Sequence, residues 1–111
     1  MEITKDDAIR ARDKIWETRI ELSKSTSDKS YLKEFLKSKL ALLMSESTET
    51  TMTGKEMYAK AHPDYIALLH GIKVAEEQEI KKKWEMECAR LTIEIYRTES
   101  ANNRAIDRAM Q

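Results

Sequence analysis

The stretch Trp84-Glu-Met-Glu-Cys88-Ala-Arg-Leu91-Thr-Ile-Glu-Ile95-Tyr-Arg-Thr98-Glu-Ser-Ala-Asn102-Asn-Arg-Ala105-Ile-Asp-Arg-Ala109 decides the fold class. Within it Trp84, Cys88, Leu91, Ile95, Thr98, Asn102, Ala105 and Ala109 are spaced 4, 3, 4, 3, 4, 3, 4. That alternation keeps one face of an α-helix in register with a partner helix, as in a coiled coil. No proline follows Pro63, and only Gly71 interrupts the helical pattern downstream of it. Proline fits the first position of a helix, and Asp64 behind it suits the positive end of the helix dipole. The pattern predicts one long helix over 63–110, with Tyr65, Ile66, Leu69, Ile72 and Ile80 carrying its apolar positions upstream. Gly71 is read as a close helix crossing.

Working back toward the N-terminus, Met52 and Met57 are expected to pack a short helix over 54–61. Thr53 and Glu56 have the spacing of a capping box for it. Residues 45–53 hold almost nothing apolar and read as a mobile loop. Residues 1–44 read as two helices. The first starts near Thr4, with Asp6 and Asp7 in its first turn and Ala8, Ile15 and Leu22 seven residues apart. Ser23 to Ser30 is a run of hydroxyl and Asx side chains, which favours a turn and a new cap. The second helix follows to Met44, with Tyr31, Leu32, Phe35, Leu36, Leu40 and Leu43 as its apolar stripe. A rival reading joins the two into one bent helix.

The expected fold is all-α: a helical hairpin or bundle built on a long coiled-coil-like C-terminal helix, in a single domain over 1–111. A helix over 63–110 is on the order of 70 Å long, whereas helices of ~17–20 residues reach only ~25–30 Å. Two such helices cannot cover it unless they lie end to end. A second copy of the chain is therefore expected on Trp84, Cys88, Leu91, Ile95 and Asn102, giving a homodimer or higher homo-oligomer. Asn102 at a core-register position fits a residue that fixes register.

The composition excludes several classes. Twenty Lys and Arg balance 20 Asp and Glu, so the chain is no histone-like polycation. With 2 Gly and 1 Pro it is no collagen or flexible linker. Cys88 stands alone, so no internal disulfide or cysteine zinc site forms, and a reducing compartment is expected. No apolar run nears the ~20 residues that span a bilayer, and the acidic opening lacks a signal-peptide core. The host-cell cytoplasm is the expected location. His62 and His70 are eight residues apart, which is not a helical ligand spacing, so no metal and no cofactor are expected. There is no Gly-rich phosphate loop and no G-x-S-x-G, and most carboxylates have a cation three or four residues away. No catalytic residues are assigned.

Two basic faces remain as binding candidates. Lys83, Arg90, Arg97 and Arg104 are seven apart, and Arg108 follows. Glu87 and Glu94 interleave the upper part, which reads as a structural ladder. The lower end, Arg97, Arg104 and Arg108, is short of acids and suits either an acidic protein partner or weak contact with single-stranded DNA. The second face carries Lys33 and Lys37 with Lys29 and Lys39, interleaved by Tyr31 and Phe35. It is read either as a core stripe with solvated lysines or as a single-strand surface.

The C-terminal half also resembles a type of small all-helical phage early protein encoded beside single-strand annealing recombinases. The resemblance rests on Tyr65-Ile66, Leu68-Leu69-x-Gly71-x-x-x-Ala75-Glu76, Trp84 with Glu85 and Glu87, and the ending Ile95-Tyr96-Arg97-Thr98-Glu99-Ser100-Ala101-Asn102-Asn103-Arg104-Ala105-Ile106. It implies a setting in DNA recombination or replication. It also implies a non-enzymatic accessory that binds a recombinase, and single-stranded DNA as a further ligand. The alternative expectation is a small phage inhibitor that sequesters a host defence or regulatory protein.

Overall fold

A computed structural model describes residues 2–111. Three helices carry the chain: α1 over Lys5–Glu46, α2 over Met52–Ala61 and α3 over Pro63–Ala109. No strand occurs among the described residues, and the all-helical expectation holds. The chain divides into two compact units, residues 2–22 with 80–111, and residues 23–79.

The helix boundaries follow local chemistry. At the start of α1 the Thr4 backbone N–H donates to the Asp7 carboxylate at 2.9 Å, and the Asp7 N–H donates to the Thr4 hydroxyl at 3.1 Å. This reciprocal box satisfies two of the donors that a helix start leaves open. The connection between α1 and α2 is only 47–51, so the expected loop over 45–53 is shorter by helix at both ends. The cap of α2 is Thr51 rather than Thr53, with the Gly54 N–H donating to the Thr51 hydroxyl at 3.0 Å. Gly54 is required by space: a Cβ there would stand 2.9 Å from the Thr51 hydroxyl and 3.2 Å from the Glu49 Cβ. His62 then takes extended angles, as the residue before a proline does. Its Nδ1 accepts from the Asp64 N–H at 3.1 Å and caps α3. At Gly71 a Cβ would meet nothing nearer than Leu32 Cδ1 at 4.0 Å, so no close crossing requires this glycine.

The two N-terminal helices expected from the sequence are one helix. The Ser23–Ser30 run stays helical because its side chains find partners on α3, within residues 23–79. The Thr26 hydroxyl donates to Glu79 at 3.0 Å, and the Lys29 ammonium reaches the same carboxylate at 3.0 Å. No glycine or proline stands in the run to break the helix. Tertiary hydrogen bonds therefore override its local preference for a turn.

In the unit of residues 2–22 and 80–111, Ala8, Ala11, Ile15, Thr18 and Leu22 of α1 turn away from solvent. So do Lys82, Met86, Ala89, Ile93, Tyr96 and Ser100 of α3. Both sets alternate by 3 and 4, the spacing of a two-helix seam. Lys14 pairs with Glu85 at 3.8 Å and Glu21 with Lys82 at 2.5 Å, while the Ile3 N–H donates to Glu99 at 3.3 Å. Pairings that run up α1 as they run down α3 make the two segments antiparallel.

In the unit of residues 23–79, the inward positions of α1 are Ser25, Lys29, Leu32, Leu36, Lys39 and Leu43. Those of α3 are Tyr65, Leu68, Ile72, Ala75 and Glu79. Helix α2 adds Ala59, which is 0% exposed, and Leu43 is 1% exposed. Burying a leucine so fully is worth about 1.5–3 kcal/mol. Lys33–Glu76 at 3.3 Å and Lys39–Asp64 at 3.4 Å repeat the antiparallel pairing of α1 with α3. Tyr31 and Phe35, expected in the stripe, point outward instead and stack on each other at 6.3 Å.

Candidate functional site

Helix α3 has a second face with coiled-coil spacing, and the seam does not use it. Trp84 is 66% exposed, Leu91 43% and Ile95 46%, and Cys88 and Asn102 are also exposed. These five residues share one stripe, as their spacing requires, and it lies opposite Met86, Ala89 and Ile93. A helix has room for two such stripes half a turn apart. Trp84 also forms the wall of a groove of about 990 Å³, where Ile3, Ala11, Cys88 and Ala89 supply further apolar lining. Glu2, Asp7 and Glu85 balance Arg10, Lys14 and Lys81 around it, so the groove has no strong preference for a charged ligand.

Beside the stripe runs the Arg/Lys column. Arg90 is committed within the helix: its guanidinium holds Glu87, with Nε at 3.1 Å, and also Glu94. The hydrogen bond from Arg90 lowers the Glu87 pKa below the usual carboxylate value and raises that of Arg90 in turn. Lys83 also has a partner. Of the ladder that the sequence predicts, the structure shows the Arg90 rungs to Glu87 and Glu94. Arg97, Arg104 and Arg108 differ, since none of them makes an ion pair among the described residues. The whole of 101–111 is exposed, so this end of α3 is helical without packing of its own. Alanines at 101, 105 and 109 suit such an unsupported helix, and Arg108 stands in the last turn where the dipole favours cations.

Lys33 and Lys37 belong to the other unit and are already engaged, Lys33 with Glu76 at 3.3 Å and Lys37 with Glu34 at 3.1 Å. Arg97, Arg104 and Arg108 are strung along the exposed end of α3, and Lys33 and Lys37 are in the other unit. Trp16 and Ile20, which the sequence reading does not single out, are outward residues. Trp16 carries the Arg19 guanidinium 4.9 Å above its ring, a cation–π pair at the surface. Their positions beside Ile15 and Thr18, rather than on the 3–4 seam, were the available signal. Among the described residues no group of three His, Cys, Asp or Glu side chains could hold a metal ion. No helix is long and apolar enough to cross a membrane. No protein-family model, no curated protein and no solved structure matches the chain.

Proposed function

We propose that this is a non-enzymatic accessory protein of phage DNA recombination or replication, working in the host cytoplasm, whose C-terminal helix presents arginines to an acidic surface of a recombinase. The observation that carries this reading is the contrast along one column. Arg90 is taken up by Glu87 and Glu94, whereas Arg97, Arg104 and Arg108 stand exposed without an ion pair among the described residues. Guanidinium groups left uncommitted suit bidentate recognition of carboxylate or phosphate. A protein surface is favoured over DNA because zero net charge gives little long-range attraction to a polyanion. The phage setting rests on the resemblance of the C-terminal half.

The test is affinity capture from phage-infected cells, with wild type beside the double variant Arg97→Gln/Arg104→Gln. Both residues are exposed, so helical content should be unchanged by circular dichroism. Wild type should retain a phage recombinase and the variant should lose it. Equal capture by both proteins refutes the arginine site. Capture of a host defence or regulatory protein instead supports the inhibitor reading. Direct binding to single-stranded DNA is scored in parallel by its salt dependence, about 0.7 in log–log slope per neutralised phosphate.

A further inference from the structure

The outward stripe of α3 reads the same in both directions. Its spacings, 4, 3, 4, 3, 4, 3, 4 from Trp84 to Ala109, are symmetric about the peptide between Tyr96 and Arg97. A second copy turned end for end about that point sets Trp84 opposite the partner's Ala109 and Cys88 opposite the partner's Ala105. Leu91 then faces the partner's Asn102, and Ile95 the partner's Thr98. Each large side chain meets a small or short one, which keeps the two helix axes at a uniform distance. A parallel copy would stack tryptophan on tryptophan at one end and alanine on alanine at the other.

Charge and area point the same way. Glu87, Glu94, Ala101 and Arg108 are seven apart and flank the stripe on one side. In the end-for-end arrangement Glu87, whose carboxylate already holds Arg90, lies beside the partner's Arg108 as a second cation, and its own Arg108 lies beside the partner's Glu87. Such an isologous contact is made twice. The face from Trp84 to Ala109 is about 39 Å long by about 10 Å wide. Trp84, Leu91 and Ile95, with Ile80 and Ile106 at its edges, are large apolar side chains each left 43–66% exposed on this face, and a standard interface takes about 800 Å² from each partner.

We infer that a second copy of this chain docks antiparallel on the Trp84–Ala109 face of α3, with its two-fold axis at Tyr96–Arg97. This goes beyond the proposed function, because Arg97 and Arg104 fall outside both the stripe and its flank and stay open to another partner. Cys88 reports the orientation. On one helix, residues 88 and 105 are about 26 Å apart and cannot bond to each other. The experiment is mild oxidation of wild type and of Ala105→Cys, read on non-reducing gels, with sedimentation velocity at tens of micromolar. The variant should form a covalent dimer, wild type should not, and both should sediment as dimers. Leu91→Glu, whose position is already outward, should be monomeric with unchanged helical content. A covalent wild-type dimer would mean a parallel pairing through Cys88 and overturns the inference. A monomeric wild type, or an Ala105→Cys variant that stays uncrosslinked, overturns it equally. Loss of dimer in Leu91→Glu with recombinase capture intact separates this inference from the arginine reading.

Discussion

Residues 23–79 and the paired segments 2–22 and 80–111 each carry a 3–4 seam but bury different things. In residues 23–79 the short helix α2 joins α1 and α3, and Leu43, Ala59 and Ile72 are all buried. In the other unit α1 meets α3 alone, and the buried residues are the small Ala11, Thr18 and Ala89. Two helices in contact enclose little more than the line between them, whereas a third element closes off a volume. The unit without a third helix is also the one whose outer face keeps coiled-coil spacing with Trp84 on it. The difference teaches that a heptad seam by itself makes contact but not a core, and that the next layer must come from elsewhere.

The largest expected effect is in the better-enclosed unit. Leu43→Ala should cost about 2–5 kcal/mol through lost burial and a cavity. Ile20→Ala, at a position mostly in solvent, should stay within about 0.5 kcal/mol. Urea unfolding of the two variants measures both, and equal losses would erase the distinction between the units. A smaller effect of opposite sign is expected at Gly71. A Cβ there has room, so Gly71→Ala should stabilise by about 0.5–1 kcal/mol, read as a raised melting temperature. A destabilised variant would restore the close crossing that the structure does not support.

The smallest effect concerns pH, because the groups involved are exposed. In the two-helix unit the Lys82 hydrogen bond holds the Glu21 carboxyl below its ordinary 4.5, and Glu21 raises Lys82 above 10.5. A lowered carboxylate stabilises the fold above its ordinary value, and that contribution is lost as pH falls through the lowered one. A raised ammonium stabilises below its ordinary value, and that contribution is lost as pH rises through the raised one. Between about pH 4.5 and 10.5 both contributions are in place. Melting temperatures of wild type should therefore drop modestly below pH 4.5, and Glu21→Gln should drop less. Identical acid profiles for the two proteins would show that this pair contributes nothing.

The amino-acid sequence by itself determined the helical class, the break at Pro63 and the capping of α1 by Thr4. These follow from backbone preferences that act within one turn of chain. It also determined Ala8, Ile15 and Leu22 as seam positions and Arg97, Arg104 and Arg108 as cations short of acids, since both come from spacing alone. Only the tertiary structure decided whether Ser23–Ser30 turns or continues. The answer depends on Glu79, fifty or more residues away in the chain, taking the Thr26 and Lys29 hydrogen bonds. Only the tertiary structure decided, too, which stripe of α3 faces α1. Trp84-Cys88-Leu91-Ile95 and Lys82-Met86-Ala89-Ile93 have the same alternation, and the first is the more apolar. Helices that approach closely select small side chains at the contact, so Ala89 against the Ala11 face lies inside and Trp84 is left outside.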